Sequence, residues 1–351
     1  MHTNLSRTPL VSSHTKTQSA SASRSTTLPL LIACGLSLTM LAGCAVGPYG
    51  RPGQPIDRLG DEIVVCGQLF HTGAPVVLWM DPGGYDAYRS HCRFNPDQDA
   101  PTKPVSDSPA RFGSWRRHVP EDVAEHVRAE GWDLDLLQQY VDLFVLHYDA
   151  CGTSRRCFKV LQDMRGLSVH FMLDVDGTIY QTLDLKERAW HAGTANDRSV
   201  GVEIANIGAY GNMKTLNEWY ARDAVGRPYL TVPERYGDPG IRTPDFVAHP
   251  ARDEVVTGEI NGRELMQYDL TDAQYESLIK LTATLCEVLP RIRPDYPRDP
   301  QGDLRTSVLT DEEMENFSGI LGHWHVIKSK VDPGPAFDWD RLLDGVDENM
   351  R

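Results

Sequence analysis

Between residues 119 and 345, apolar runs of strand length alternate with stretches of helical period. This alternation is the tightest constraint in the chain, because strands separated by helices bury both their faces in an α/β fold. "PEDVAEHVRAEGW" opens on Pro and acids, as helix N-termini prefer. "DLFVLHYD" is a β-run ending at His147, and "SVGVEIANIG" is a buried strand carrying one acid, Glu203. "CFKVLQDMRG" reads as a short helix closed by Gly166. Two hairpins are expected, "SVHFMLDVDGTIYQTL" turned at Asp176-Gly177 and "VVTGEINGRELMQYDL" turned at Asn261-Gly262. "TDAQYESLIKLTATLCEVL" is the most regular helix, capped by Thr271, with apolar residues recurring at three and four. A last short helix is expected at "FDWDRLL". The expected architecture is one α/β domain over 119–345, a central mixed β-sheet flanked by helices. Upstream lies a β-rich N-terminal extension, 61–118, in which "EIVVCGQLFHTGAPVVLWM" predicts a hairpin around "HTGAP".

The first 43 residues read differently. Residues 1–25 are rich in Ser and Thr, with Arg7, Lys16 and Arg24 and no acid. The apolar run "LPLLIACGLSLTMLAGC" is too short and too near the start for a stable membrane span, so it reads as a secretory signal. Its end, Leu41-Ala42-Gly43-Cys44, resembles the lipobox of bacterial lipoproteins. That resemblance implies cleavage before Cys44 and lipidation of its thiol; an ordinary signal peptide is the alternative. Residues 44–60, rich in Pro and Gly, are expected to be a flexible tether. Ala45, not Asp, follows the cysteine, which by lipoprotein sorting rules implies a lipid-anchored protein of the cell envelope, at the outer membrane and facing the periplasm. A net charge of −14 argues against a nucleic-acid partner, which needs a basic face. Export permits disulfides. Cys151 and Cys157 flank the polar "GTSRR" and are the expected pair, with Cys66 and Cys92 a second pairing. Cys286, in an apolar helical pattern, is expected to be a buried free thiol.

Three polar residues stand where the local pattern asks for apolar ones. His147 ends a hydrophobic strand, Glu203 interrupts one, and His323 follows "GILG". An unpaired carboxylate is costly inside a sheet, so Glu203 needs a cation or a chemical role. Zinc would account for all three. A catalytic zinc takes three protein ligands and leaves a position for water. Asp332 lies shortly after His323, on the conformationally restricted "DPGP" turn. Glu203 could then move the proton of an attacking water, and Lys330 could steady an oxyanion. Spacing alone does not decide this, since no HExxH is present and His325 shares a face with His323 in an extended chain.

Over about 141–345 the chain resembles the zinc-dependent N-acetylmuramoyl-L-alanine amidases of the amidase-2 family, related to the peptidoglycan recognition proteins. The matching pieces are "FVLHYDACGTSRRCF", "LSVHFMLDVDGTIYQ", "AWHAGTANDRSVGVEIAN", "YDLTDAQYESLIKL" and "GHWHVIKSKVDPGPAFDW", in the family's order. The resemblance implies Zn2+ held by His147, His323 and Asp332, with Glu203 as general base and Lys330 polarising the carbonyl. It implies a peptidoglycan or muropeptide partner, a groove near His170 and His191, for which substrate contact, site support and a structural role stay open, Asn206 as a further substrate-site residue that helps order the site, and a disulfide at Cys151 and Cys157. It favours His323 over His325, which reads as structural or supporting, and Lys328 reads as a loop charge. His71 and His91 match nothing in the family and read as structural or surface residues. Two stretches depart from the pattern, the extension at 61–118 and an insertion at about 208–255. A non-catalytic peptidoglycan-binding lipoprotein is the alternative, as is an envelope scaffold with a four-ligand structural zinc that recruits His325.

Overall fold

The computed structural model describes residues 51–89, 111–117 and 119–351. Residues 51–56 belong to a separate unit, and the folded body begins at Asp57. It opens with a hairpin of β1 (Glu62–Val65) and β2 (Gln68–His71). The turn sits at Cys66 and Gly67, with φ of 50° and 74°. Two consecutive left-handed residues are what a type I′ turn requires. The hairpin expected around "HTGAP" is therefore corrected. That segment leads instead into β3 (Val76–Leu78), buried throughout, which leaves its neighbour and joins the central sheet.

A short β4 (Phe112–Gly113) precedes α1 (Glu121–Glu130) and α2 (Leu134–Tyr140). Asp133 caps α2 through the Leu136 N–H. Then come β5 (Leu143–Tyr148) and α3 (Ser154–Phe158), which continues as a π-helical stretch, Lys159–Arg165, closed by a left-handed Gly166. The hairpin of β6 (Phe171–Leu173) and β7 (Ile179–Gln181) turns where its Asp-Gly predicts. Next are β8 (Arg188–Ala189), paired with β4, and β9 (Ser199–Ile204). The 208–255 stretch carries α4 (Lys214–Trp219) and the small hairpin β10 (Tyr220–Arg222) with β11 (Pro228–Leu230). The Asn-Gly hairpin, β12 (Val256–Ile260) and β13 (Arg263–Gln267), leads to α5 (Asp272–Val288). Thr271 and Gln274 form the capping box of α5. The chain ends with α6 (Asp311–Asn316), β14 (Gly319–Gly322), a single turn α7 (His323–Val326) and α8 (Trp339–Asn349).

Six strands make the central mixed sheet in the order β14-β5-β9-β6-β7-β3. The first four run parallel, β7 is antiparallel to β6, and β3 runs parallel to β7. Helices cover both faces, so β5 and β9 are near-continuous apolar runs, as parallel strands should be. Alternation divides β5: Phe144 and Leu146 enter the large core with α5 and α8, while Leu143 and Val145 face Ala192, Ala195 and Leu321. His147 falls on the second face. The side facing α3 is filled by Phe158, Met172, Tyr180 and Tyr85, whose ring stacks on Tyr180 at 4.3 Å. No helix among the described residues is long and apolar enough to cross a membrane.

Candidate metal centre and active cleft

Three parallel strands bring their C-terminal ends together, where open α/β sheets build sites. In register, His147 of β5 lies directly across from Glu203 of β9, and Gly322 of β14 pairs with Leu146. His323, the next residue, therefore arrives beside His147. Neighbouring strands are about 4.8 Å apart, so adjacent register alone brings these side chains within reach of one another. Asp332 comes from the loop after α7. Its backbone is held by the Trp324 N–H at 3.3 Å, and its turn lies on Gln267, which donates to Pro333 O at 2.9 Å and accepts from the Ala336 N–H at 3.0 Å. Gly334 is required here: φ is +90°, and a Cβ would lie 2.1 Å from Gln267 Oε1.

The result is a tight triangle. His147 Nδ1 and His323 Nδ1 are 2.9 Å apart, and Asp332 Oδ2 is 3.0 Å from the first and 2.9 Å from the second. All three residues are buried. Burial, then the neighbouring His323, pulls the His147 imidazolium down to about 4 against the attraction of Asp332. Burial alone would raise Asp332, but hydrogen bonds from both imidazoles hold it well below the usual carboxylate range. Neutral His147 and ionised Asp332 are the forms that bind metal.

The donor set fits zinc on the chemistry of these atoms. Two imidazole nitrogens and a carboxylate oxygen converge on one point, a set that zinc accepts. His147 Nε2 lies 3.0 Å from His191 Nδ1, and His191 Nε2 is 3.2 Å from Ser199 Oγ. That contact commits Nε2 elsewhere and leaves Nδ1 for an ion, with an imidazole standing where a carboxylate or carbonyl usually orients a ligating histidine. His325 does not join. It is fully buried, accepts the Gly322 N–H on Nδ1 at 2.9 Å and meets Arg305 O through Nε2 at 2.6 Å, so neither nitrogen is free as a fourth ligand.

A cavity of about 290 Å³ opens over the triangle, lined by Glu203, Lys330, His191 and Trp190 among others. Burial, reinforced by Asp332 and Asp149, pushes the Glu203 carboxyl well above its ordinary value. Asp149, two residues beyond His147, carries no signal of its role in the sequence. Its Oδ1 accepts the N–H groups of Cys151, Gly152 and Asn206, which pins the turn after β5 to the end of β9. Asn261 reads in the sequence only as a turn residue, yet its amide donates to Trp324 O at 3.2 Å and Lys330 O at 3.0 Å, so it braces the loop carrying Lys330.

Two residues expected at the substrate are placed elsewhere. His170 has no exposed surface; Nδ1 accepts the Gly201 N–H and Nε2 meets Glu187 O, both strand-neighbouring backbone groups. It supports the sheet beneath His191. Asn206 is 3% exposed and serves Tyr268 O and the Gly208 N–H, ordering the loop after β9. His191 does reach the cleft, but as the partner of His147. The expected disulfide is not formed in the structure, where Cys151 and Cys157 are free cysteines that touch side chain to side chain, beside Glu203 at the cleft wall. Cys66 is also free, and Cys286 is a buried free thiol as its helical setting predicts. Cys44, His91 and Cys92 lie outside the described residues. His71 is exposed and paired with Asp61.

The profile of the Amidase_2 family, described as N-acetylmuramoyl-L-alanine amidase, matches residues 137–335. The chain belongs to this family. It is 26% identical over 191 residues to the 1,6-anhydro-N-acetylmuramyl-L-alanine amidase AmpD of Haemophilus influenzae, covering 54% of this chain and 63% of that one. AmpD of Salmonella typhimurium is 25% identical over 177 residues, 50% of this chain and 55% of that one. The match thus spans under two thirds of these relatives. The E. coli amidase AmiD, solved with anhydro-N-acetylmuramic acid-L-Ala-D-gamma-Glu-L-Lys, aligns at 18% identity over 59% of this chain and 57% of its own, with a TM-score of 0.31. Staphylococcus aureus AmiA aligns at 12% identity over 68% of this chain and 95% of its own, with a TM-score of 0.34. Structural likenesses this weak carry no argument about the site.

Proposed function

We propose that this Amidase_2 protein is a zinc-dependent hydrolase of the amide between N-acetylmuramic acid and the L-alanine of a stem peptide. One juxtaposition supports the reading most: Glu203 stands on the strand beside His147, within a wall shared with His323 and Asp332. His147, His323 and Asp332 would hold zinc, which when bound polarises a carbonyl and lowers the pKa of water towards about 7. His191 orients His147 by holding Nε2. Glu203 accepts the proton of the attacking water and returns it to the departing L-alanine nitrogen. Its half-buried setting, which favours the protonated form, suits the second half of that cycle. Lys330 faces the same cleft and offers a cation to the oxyanion formed at the carbonyl.

The test is digestion of a defined muropeptide by the purified chain, with and without chelator, read by mass. Release of a peptide with a new N-terminal alanine, lost on chelation and restored by zinc, is the expected result. Cleavage at another bond, or cleavage indifferent to chelator, overturns the reading. The non-catalytic alternative predicts binding without release. We also propose that the mature chain is a lipoprotein anchored through Cys44 at the outer membrane, facing the periplasm. Incorporation of labelled fatty acid, lost in Cys44→Ala, tests this.

A further inference from the structure

A second cavity, about 490 Å³, lies beside the cleft, and the two share Val160 as a lining residue. One wall is α3 and its π-helical continuation, with Arg155, Arg156 and Lys159; the other is the Val232–Pro239 segment of the 208–255 stretch. The two walls are tied by a stack. Arg156 lies over Tyr236 at 3.5 Å and over Trp219 at 5.3 Å, and the two rings are stacked at 5.3 Å. Cation–π contacts fix the guanidinium without neutralising it.

The charge here is opposite to that of the chain, which carries 49 acidic and 35 basic residues. Four cations line the cavity, Arg155, Arg156, Lys159 and Arg235, against one acid, Asp238. Asp238 is taken by Arg155 at 3.0 Å, and Arg235 turns to Glu218. Among the described residues, Arg156 and Lys159 have no ion-pair partner. Cations left without a paired acid on a cavity wall are arranged for an anion.

We propose that this side cavity is a subsite for the free carboxylates of the peptide being cut, read by Lys159 and Arg156. The proposal rests on the amidase reading. An amide cleaved at L-alanine has sugar on one side and a peptide on the other, and that peptide ends in a carboxylate away from the scissile bond. A glycan offers no comparable charge. The subsite exists because the 208–255 stretch folds back on α3. Lys159 and Arg156 bind and position the peptide and take no part in bond cleavage.

The experiment uses the full chain with the muropeptide anhydro-N-acetylmuramic acid-L-Ala-D-γ-Glu-L-Lys and the same compound with its peptide carboxylates amidated. Lys159 is partly exposed, so Lys159→Glu is expected to fold. The expected result is a tenfold or larger rise in KM for the free-carboxylate compound, kcat within about twofold, and little change for the amidated one. Calorimetry of the released tripeptide, binding wild type and failing with Lys159→Glu, is expected in parallel and needs no turnover. Equal KM in wild type and Lys159→Glu, or an equal change for both compounds, overturns the subsite. Wild type that cleaves nothing but binds the tripeptide in a Lys159-dependent way sinks the amidase reading and upholds the subsite. Failure of wild type to bind the tripeptide, with cleavage intact, sinks the subsite and leaves the amidase.

Discussion

Gly201→Ala, a single methyl on β9, should disable the proposed metal centre without touching any of the three residues proposed as ligands. An ideal Cβ on Gly201 lies 2.4 Å from both Cε1 and Nδ1 of His191 and 3.0 Å from its Cγ. Ordinary carbon contact begins near 3.4 Å, so the imidazole must retreat by about 1 Å. The ring has little slack. It is held between His147 Nε2 at 3.0 Å and Ser199 Oγ at 3.2 Å, and a retreat of that size cannot keep the length and angle of both contacts. Gly201 itself has no left-handed φ, so alanine suits its backbone and the clash is the whole effect. Loss of the partner behind a ligating histidine costs about 10–100-fold in metal affinity. That corresponds to ~1.4–2.8 kcal/mol. Overpacking adds roughly 1–3 kcal/mol against the fold.

The assay is zinc affinity by competition with a chromogenic chelator, with thermal melting of the zinc-free protein as control. His191→Ala should lose a similar factor, because it removes the same hydrogen bond. The double variant should be no worse than His191→Ala, since removing the ring removes the three atoms nearest the methyl; contacting residues are expected to be non-additive in this way. Wild-type zinc affinity in Gly201→Ala would refute the linkage between His191 and His147. Additive losses in the double variant would do the same, because the methyl would then act elsewhere.

Glu203→Gln should lower turnover by about 10²–10⁴-fold while zinc affinity and melting temperature hold, because it removes proton transfer and leaves the ligands in place; unchanged turnover would remove Glu203 from the scheme. Asp174 tests the pH response of the fold. Burial pushes its carboxyl up to about 8, against the N–H groups of Val175 and Ser154, and its Oδ2 has no hydrogen-bond partner. The unfolded value is about 3.9. The stability that the bound proton contributes is full below the unfolded value and falls as pH rises through the folded one, by at most about 1.4 kcal/mol per pH unit. Asp174→Asn should therefore be more stable than wild type at pH 8 and nearly equal at pH 4 by denaturant titration; a gain independent of pH would count against the buried carboxyl. Asn261→Asp keeps a residue that tolerates the left-handed turn but loses the amide N–H groups that brace Trp324 O and Lys330 O, so it should lower kcat more than zinc affinity; equal kcat would leave Asn261 as a turn residue only.

Much of the sheet is legible in the chain because strong local cues coincide with the tertiary structure. Asp176-Gly177 and Asn261-Gly262 turn as their chemistry asks, and Thr271 caps the longest helix. Where two cues compete, the weaker-looking one wins: Cys66-Gly67, not "HTGAP", turns the first hairpin. Strand β14 gives no local signal. Gly-Ile-Leu-Gly is short and ends in residues that strands disfavour. Its glycines answer tertiary demands, since a Cβ at Gly319 would lie 2.6 Å from Asp295 O and one at Gly322 would lie 2.9 Å from Pro333 Cδ. The edge strand that leads into His323 has no strand pattern of its own.

The site divides along the same line. A histidine or glutamate that breaks an apolar strand is visible in one dimension, because burying it demands a reason, and His147 and Glu203 stand out on that ground. The difference between His170 and His191 is not visible there. Each is a histidine beside small or apolar neighbours, and only their packing against β9 decides that one is sealed against backbone and the other meets His147. Asn206 is the same case. Proximity is the extreme of this: His147 and His323 are 176 residues apart in sequence and 2.9 Å apart at their ring nitrogens. Strand order supplies that closeness, with β14 beside β5 and β5 beside β9, so the three groups proposed to bind metal and move protons stand abreast on adjacent strand ends. A centre built this way depends more on the register of three parallel strands than on any loop. A change that slips β14 by one residue against β5 should therefore abolish metal binding even with every ligand present.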